Sequence, residues 1–164
     1  MYEIIFYLTA AVTVLAAGSI LIVRNPIHAA LYLVIALLAL ALLFFLLGAP
    51  LLAALQVMIY AGAIMVLFLF LIMVMNLRPT QEQLPFLSAG WKVPAFLALI
   101  LWLELLVLFF GLLPEPADET ITVIEPKVVG ESLFGPYLLV VEAAAILLLA
   151  ALIAVLYLSR KKRL

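Results

Sequence analysis

The chain has 164 residues, of which 71% are hydrophobic and 10% charged, and its formal net charge is -1. A polypeptide of this size cannot bury so many apolar side chains in a water-soluble core, so lipid must be its main solvent. Without a basic excess, bulk electrostatics give it no affinity for nucleic acid. The lack of cysteine excludes iron–sulfur clusters and zinc–thiolate sites, and the single histidine, His28, excludes haem held between two histidines of this chain. We therefore predict no catalytic residue, cofactor site or metal site within it.

Five apolar runs are each long enough to cross the hydrocarbon core of a bilayer, which takes about 20 residues. They predict an all-α integral membrane protein whose single membrane domain spans 1–164, with no internal repeat of the kind found in many transporters. The first run starts with Glu3 and is too long for a signal core, so we expect it to be retained. Asn25-Pro26 and Gly48-Ala49-Pro50 make very short connections, which predict that helices one, two and three are antiparallel neighbours. The predicted helices cover 3–23, 27–47, 52–76, 91–113 and 134–158.

The basic residues predict the orientation, because lysine and arginine accumulate on the cytoplasmic side of membrane proteins. With five crossings and an outside N-terminus, Lys127 is the one basic residue left outside. We therefore predict an outside N-terminus and a cytoplasmic C-terminus. The other seven then lie on the inside, and they are Arg24, Arg78, Lys92, Arg160, Lys161, Lys162 and Arg163.

The predicted outside loop, 114–133, is acidic. Its centre, Thr120 to Val129, is rich in β-branched residues and favours a short strand pair, limited by Pro126 to an edge or a turn. We expect a solvated connection with no chemistry of its own.

Polar side chains inside the predicted spans are the candidate functional residues, since charged groups at the membrane centre cost about 2.5 to 3.5 kcal/mol on insertion scales. Glu104 and Glu142 have no basic partner inside any predicted span, so each must be protonated or paired with another subunit. At a rise of about 1.5 Å per residue, Glu104, Glu142 and Tyr60 lie roughly 12 to 13 Å deep, and Gln56 about 6 Å. These four residues could form one polar layer, either a proton or water path or a set of hydrogen-bonded packing residues.

Tyr60-Ala61-Gly62-Ala63 places a hydrogen-bonding side chain beside three small residues in mid-membrane. Small residues permit a close approach of a neighbouring helix. They also permit a local distortion such as a π-bulge. The residue pattern by itself leaves both interpretations open.

The third run, AALQVMIYAGAIMVLFLFLIMVMNL, resembles the third helix of the subunit J family of proton-pumping NADH:quinone oxidoreductases, called chain 6 in mitochondria. The resemblance extends to NPIHAALYL in helix two and GESLFGPYLLVVEAAAILLLAALIAV entering helix five, so it covers nearly the whole chain. Gln56 stands where many members have glutamate, Glu142 matches the family's helix-five glutamate, and Glu104 matches no family motif.

The resemblance implies a place in the membrane arm of respiratory complex I, in the cell (inner) membrane. Its neighbours would be the membrane protein of the quinone module (designated H), the small subunits A and K, the antiporter-like subunits and lipid. NADH, FMN, iron–sulfur clusters and quinone would be handled by other subunits. The third helix of this family occurs both as a regular α-helix and with a π-bulge, a change associated with a water path. Carried over, the switching residues are Tyr60, Gly62, Ala63, Met65, Val66 and Phe68.

The resemblance leads us to expect a subunit that couples quinone reduction to proton translocation through a switchable third helix. Three alternatives stay open. The chain could be a purely structural subunit, or a homologous subunit of a ferredoxin-fed or hydrogen-fed complex or cation antiporter, or an independent transporter. The sequence of this chain does not specify the electron donor, the quinone type or the proton stoichiometry.

Overall fold

A computed structural model describes residues 2–75, 89–111 and 123–160, and its regular structure there is entirely helical. Five helical stretches are long and apolar enough to cross a membrane, which confirms the predicted all-α class and the number of spans within the described residues. Which side of the membrane each terminus occupies stays a prediction. The helices are α1 Tyr2–Ile22, α2 Pro26–Leu46, α3 Pro50–Leu55, a π-helix Gln56–Ile64, α4 Met65–Val74, α5 Ala89–Phe109, α6 Pro126–Leu133 and α7 Leu138–Arg160.

The turn between α1 and α2 is specified by two adjacent residues. Asn25 has extended backbone angles, and its side-chain Oδ1 accepts a hydrogen bond from the Ile27 backbone N–H at 2.9 Å. Pro26 takes the first helical position, where its missing N–H costs nothing. The predicted boundary between the first two spans is therefore confirmed.

The turn between α2 and α3 depends on a glycine in the left-handed region. Gly48 has φ of 76°, and its N–H donates to Phe45 O at 3.1 Å while the Ala49 N–H donates to Phe44 O at 3.0 Å. These two bonds form a Schellman motif, which satisfies carbonyls that the end of α2 would otherwise leave without partners. Pro50 then starts α3 at once.

The buried core of the first part of the chain lies between α1, α2 and α5. Ala16 of α1 and Ala39 of α2 are fully buried, and such small side chains let helix backbones approach closely in a membrane. The His28 and Trp91 rings meet edge to face at 5.3 Å, which joins the first turns of α2 and α5. Leu97 and Leu101 extend the core along α5.

The third span, defined as α3, the π-helix and α4 together, runs from Pro50 to Val74 and packs along α2. Helices one, two and three are thus sequential neighbours, as predicted. Because α5 packs on α1 and α2, helix α2 lies in the centre of this part of the chain.

The chain divides into two compact units, Met1–Val123 and Ile124–Leu164. In the second unit, α6 occupies Pro126–Leu133, so the predicted strand pair is wrong for the described residues of Thr120 to Val129. Pro126 explains the difference, because at the first helical position it starts a helix, and the extended Glu125 precedes it. Residues 120–122 lie outside the described residues.

A turn at 134–137 separates α6 from α7, so the fifth span begins at Leu138 and not at 134. The exposed Lys127 Nζ lies 3.8 Å from Glu131 Oε1, one helical turn away on α6.

Candidate functional site: the π-helix and a buried carboxyl

The middle of the third span is a π-helix of nine residues, Gln56–Ile64. At its end the Met65 N–H donates to Tyr60 O, five residues back. Both Tyr60 and Gly62 lie inside the segment, where the sequence left open either a π distortion or simple packing. The structure has the π form. Short π-helical stretches inside α-helices are rare and occur often at functional sites.

The π-helix decides which side chains of the third span face α2. Gln56 is 7% exposed and Met65 is 1% exposed, although nine residues separate them. In an α-helix, at about 100° per residue, they would point in opposite directions. The i→i+5 bonding of a π-helix places roughly 4.4 residues in each turn, so nine residues complete about two turns. The π form therefore brings Gln56 and Met65 to the same buried side.

Gly62 has little room for a side chain in this conformation. A Cβ built at Gly62 would lie 3.2 Å from the Val57 carbonyl oxygen, five residues earlier. That distance is tighter than ordinary van der Waals contact. Val57 stands five residues before Gly62, which is the i→i+5 spacing of the π form.

Four further residues of the predicted switch lie on the exposed surface of the third span. Tyr60 is 50% exposed, Val66 is 63% and Phe68 is 40%. Ala63 is exposed as well. In a membrane complex these side chains can contact lipid or neighbouring subunits. Met65 is the one residue of the predicted switch that is buried within this chain.

Glu104 of α5 is buried where α5 packs against α1 and α2. It is 4% exposed, and its Oε2 lies 2.9 Å from the hydroxyl oxygen of Thr9, which is fully buried on α1. Sequence analysis had not singled out Thr9, because a lone threonine in an apolar helix carries no signal of a partner 95 residues away. Glu104 Oε1 is buried and has no hydrogen-bond partner among the described residues.

The four predicted polar residues are not joined by hydrogen bonds in the described structure. Gln56 and Tyr60 lie on the π-helix, which packs on α2, whereas Glu104 is paired with Thr9. Glu142 lies near the start of α7, in the second unit. A single polar layer through the assembled complex stays a prediction.

The described residues bring few chemically reactive side chains together. Their His, Asp and Glu side chains form no group of three that could hold a metal ion. A cavity of 410 Å³ between α2 and α5 has an almost entirely apolar lining, so it lacks the convergent polar groups of a catalytic site. Residues lining it include Leu31, Ile35, Leu38, Trp91, Ala98 and Trp102.

Comparison with known proteins gives a consistent result over nearly the whole length. The family described as NADH-ubiquinone/plastoquinone oxidoreductase chain 6 matches residues 5–158. NADH-quinone oxidoreductase subunit J of Pseudomonas aeruginosa is 49% identical over 162 residues, covering 97% of each chain. The Escherichia coli K12 protein of the same name is 40% identical over 164 residues, covering 98% of this chain and 88% of its own.

Proposed function

This chain belongs to the NADH-ubiquinone/plastoquinone oxidoreductase chain 6 family, and we propose that it couples quinone reduction to proton translocation through a conformational change of its third span. It is a membrane subunit of NADH-quinone oxidoreductase, whose cofactors sit in other subunits. Its contribution is the conformational change of the third span. The partners are the membrane protein of the quinone module, the small membrane subunits and the antiporter-like subunits of the membrane arm.

The observation that carries the proposal is the π-helix at Gln56–Ile64 in mid-span. Both α and π forms pair backbone N–H and C=O groups within the helix, as a membrane interior requires. The two forms can therefore interconvert without exposing unpaired backbone groups to lipid. Such an element has two discrete arrangements, which is the physical requirement for a switch.

Conversion to an α-helix would change the side chains that face α2. With the helix fixed at Gln56 and turning about 100° per residue, Ala63 and Leu67 would move to the buried side, and Met65 would point to the opposite side. Val66 and Phe68 would rotate with it. Because bulky apolar side chains can close a water path by dewetting, their rotation would open or close such a path. Gln56 and Tyr60 are then the hydrogen-bonding groups of this chain nearest to the path.

The test compares proton pumping with quinone reduction in membranes that carry Gly62→Val, with assembly checked on native gels of the same preparation. The valine side chain extends the 3.2 Å contact with the Val57 carbonyl and disfavours the π form. Gly18→Val is a matched control, since a Cβ at Gly18 on α1 meets no atom within 4 Å outside the neighbouring backbone of its own helix.

The proposal expects assembled Gly62→Val complex in which pumping falls further than quinone reduction, or both collapse, while Gly18→Val behaves as wild type. A purely structural subunit gives a different result. In that case pumping and reduction would fall only in proportion to the amount of assembled complex. Assembled complex with normal pumping and reduction would also refute the switch.

A further inference from the structure

A buried pair, Thr9 on α1 and Glu104 on α5, stands apart from the third span. The two residues are 0% and 4% exposed, so both are buried within this chain. A carboxyl group in this position requires an explanation, because an ionised carboxylate without a cationic partner is very costly in an apolar interior.

The hydrogen atoms of the pair can be counted. The Thr9 oxygen lies 2.8 Å from Ile5 O and 2.9 Å from Glu104 Oε2. A hydroxyl has one hydrogen to donate, and neither a backbone carbonyl nor an ionised carboxylate supplies another. If the Thr9 O–H donates to Ile5 O, which is the usual bond of a helical threonine to the preceding turn, the second bond needs a hydrogen on Glu104.

The other carboxyl oxygen supports the same protonation state. Glu104 Oε1 is buried and has no hydrogen-bond partner among the described residues. For an ionised carboxylate this would leave a charged oxygen unsolvated. For a neutral acid, Oε1 is a carbonyl oxygen, and an unpaired buried carbonyl costs only about 1 to 3 kcal/mol.

We propose that Glu104 is a permanently neutral carboxylic acid that donates its proton to Thr9 and so clamps α5 to α1. It would not release its proton during turnover. The chain of bonds runs from Glu104 to Thr9 to Ile5 O and stops there, because the Ile5 carbonyl already belongs to α1 and has no proton to pass on. A proton relay needs, at each step, a group that can accept one proton and donate another, and the Ile5 carbonyl cannot donate one.

The clamp joins helices within the core of the first unit. Helices α1, α2 and α5 share one buried core, and the Thr9 to Glu104 bond joins the two helices that flank α2 on this side. The third span packs along α2 without a hydrogen bond of this kind among the described residues. The one side-chain hydrogen bond between spans of the described residues thus lies within the three-helix group.

The test uses the whole complex and conservative pairs of variants. Glu104→Gln keeps a neutral group whose N–H can donate to the Thr9 oxygen, and Thr9→Ser keeps the hydroxyl. We expect both variants to assemble, pump protons and reduce quinone as wild type does. Glu104→Leu and Thr9→Val each remove the hydrogen bond. We expect the equilibrium between intact and heat-dissociated complex to shift about 3-fold to 10-fold toward dissociation, so that less assembled complex survives heating on native gels. The double variant, Thr9→Val with Glu104→Leu, should lose little more heat resistance than either single variant, because both changes remove the same bond.

Infrared spectroscopy reads the proton directly, even if Glu104→Leu fails to assemble. The difference between wild type and Glu104→Gln should contain a carboxylic-acid carbonyl band that persists during turnover and shifts in Thr9→Val. A carboxylate band in its place, or an assembled Glu104→Gln complex that reduces quinone but no longer pumps, would overturn the proposal. Wild-type heat resistance of Thr9→Val would overturn the clamp as well.

Discussion

Gly62→Ala isolates the effect of one methyl group on the form of the third span. The added Cβ meets the Val57 carbonyl oxygen at 3.2 Å in the π-helix, whereas alanine is the most favourable residue in the interior of an α-helix. Alanine restricts the unfolded chain equally for both forms, so that effect cancels from the comparison. The remaining effect is the close contact between the added Cβ and the Val57 carbonyl oxygen. Overpacking costs at their low end put this contact at about 1 kcal/mol. The ratio of π to α form should therefore fall about fivefold.

Cysteine cross-linking measures this ratio, because the chain has no cysteine of its own. Met65 is buried in the π form, while Leu67 is 69% exposed and would be buried in the α form. A cysteine at either position is paired with cysteines scanned along the buried face of α2. In the wild-type background the residue 65 pairs should form disulfides preferentially, and in Gly62→Ala the residue 67 pairs should gain.

Gly18→Ala provides the control, since its added Cβ meets no atom within 4 Å outside the neighbouring backbone of its own helix. It should leave the ratio of residue 65 to residue 67 cross-links unchanged. Should Gly62→Ala give the same ratio as Gly18→Ala, the contact with Val57 would not govern the form of the helix. The explanation given for Gly62 would then be refuted.

Two further glycines test the turns. Gly48→Ala places a residue with a Cβ in the left-handed region at φ of 76°, which should cost about 1 to 2 kcal/mol. The temperature at which assembled complex is lost on native gels should therefore fall. An equal fall caused by an alanine at Gly18 would contradict this explanation. Gly135→Ala places a Cβ 2.7 Å from Glu131 O, so the turn between α6 and α7 must shift, at a cost of about 1 to 3 kcal/mol in the same assay. The Cβ of Gly130→Ala on α6 meets no atom within 4 Å outside the neighbouring backbone of its own helix, so this variant should leave the complex as heat-stable as wild type.

The described spans and their turns followed from local properties of the sequence. Hydrocarbon thickness requires about 20 apolar residues per helix, and the observed ends differ from the predicted ones by up to four residues. Asn25-Pro26 and Gly48 identify helix boundaries because each acts within its own turn. The strand prediction around Pro126 failed because β-branched residues are only a weak preference, whereas a proline at the first helical position is already set for a helix.

The sequence by itself thus determined a five-span helical membrane protein and, through its resemblance, the family. Only the tertiary structure decided that Thr9 meets Glu104. The two residues are 95 positions apart in the sequence, and their contact depends on how α1 and α5 are rotated against α2. It also decided the π form of Gln56–Ile64. Backbone pairing within the helix is possible in both the α and the π form, so it does not choose between them, and the π form is the one that places Gln56 and Met65 on the same buried side.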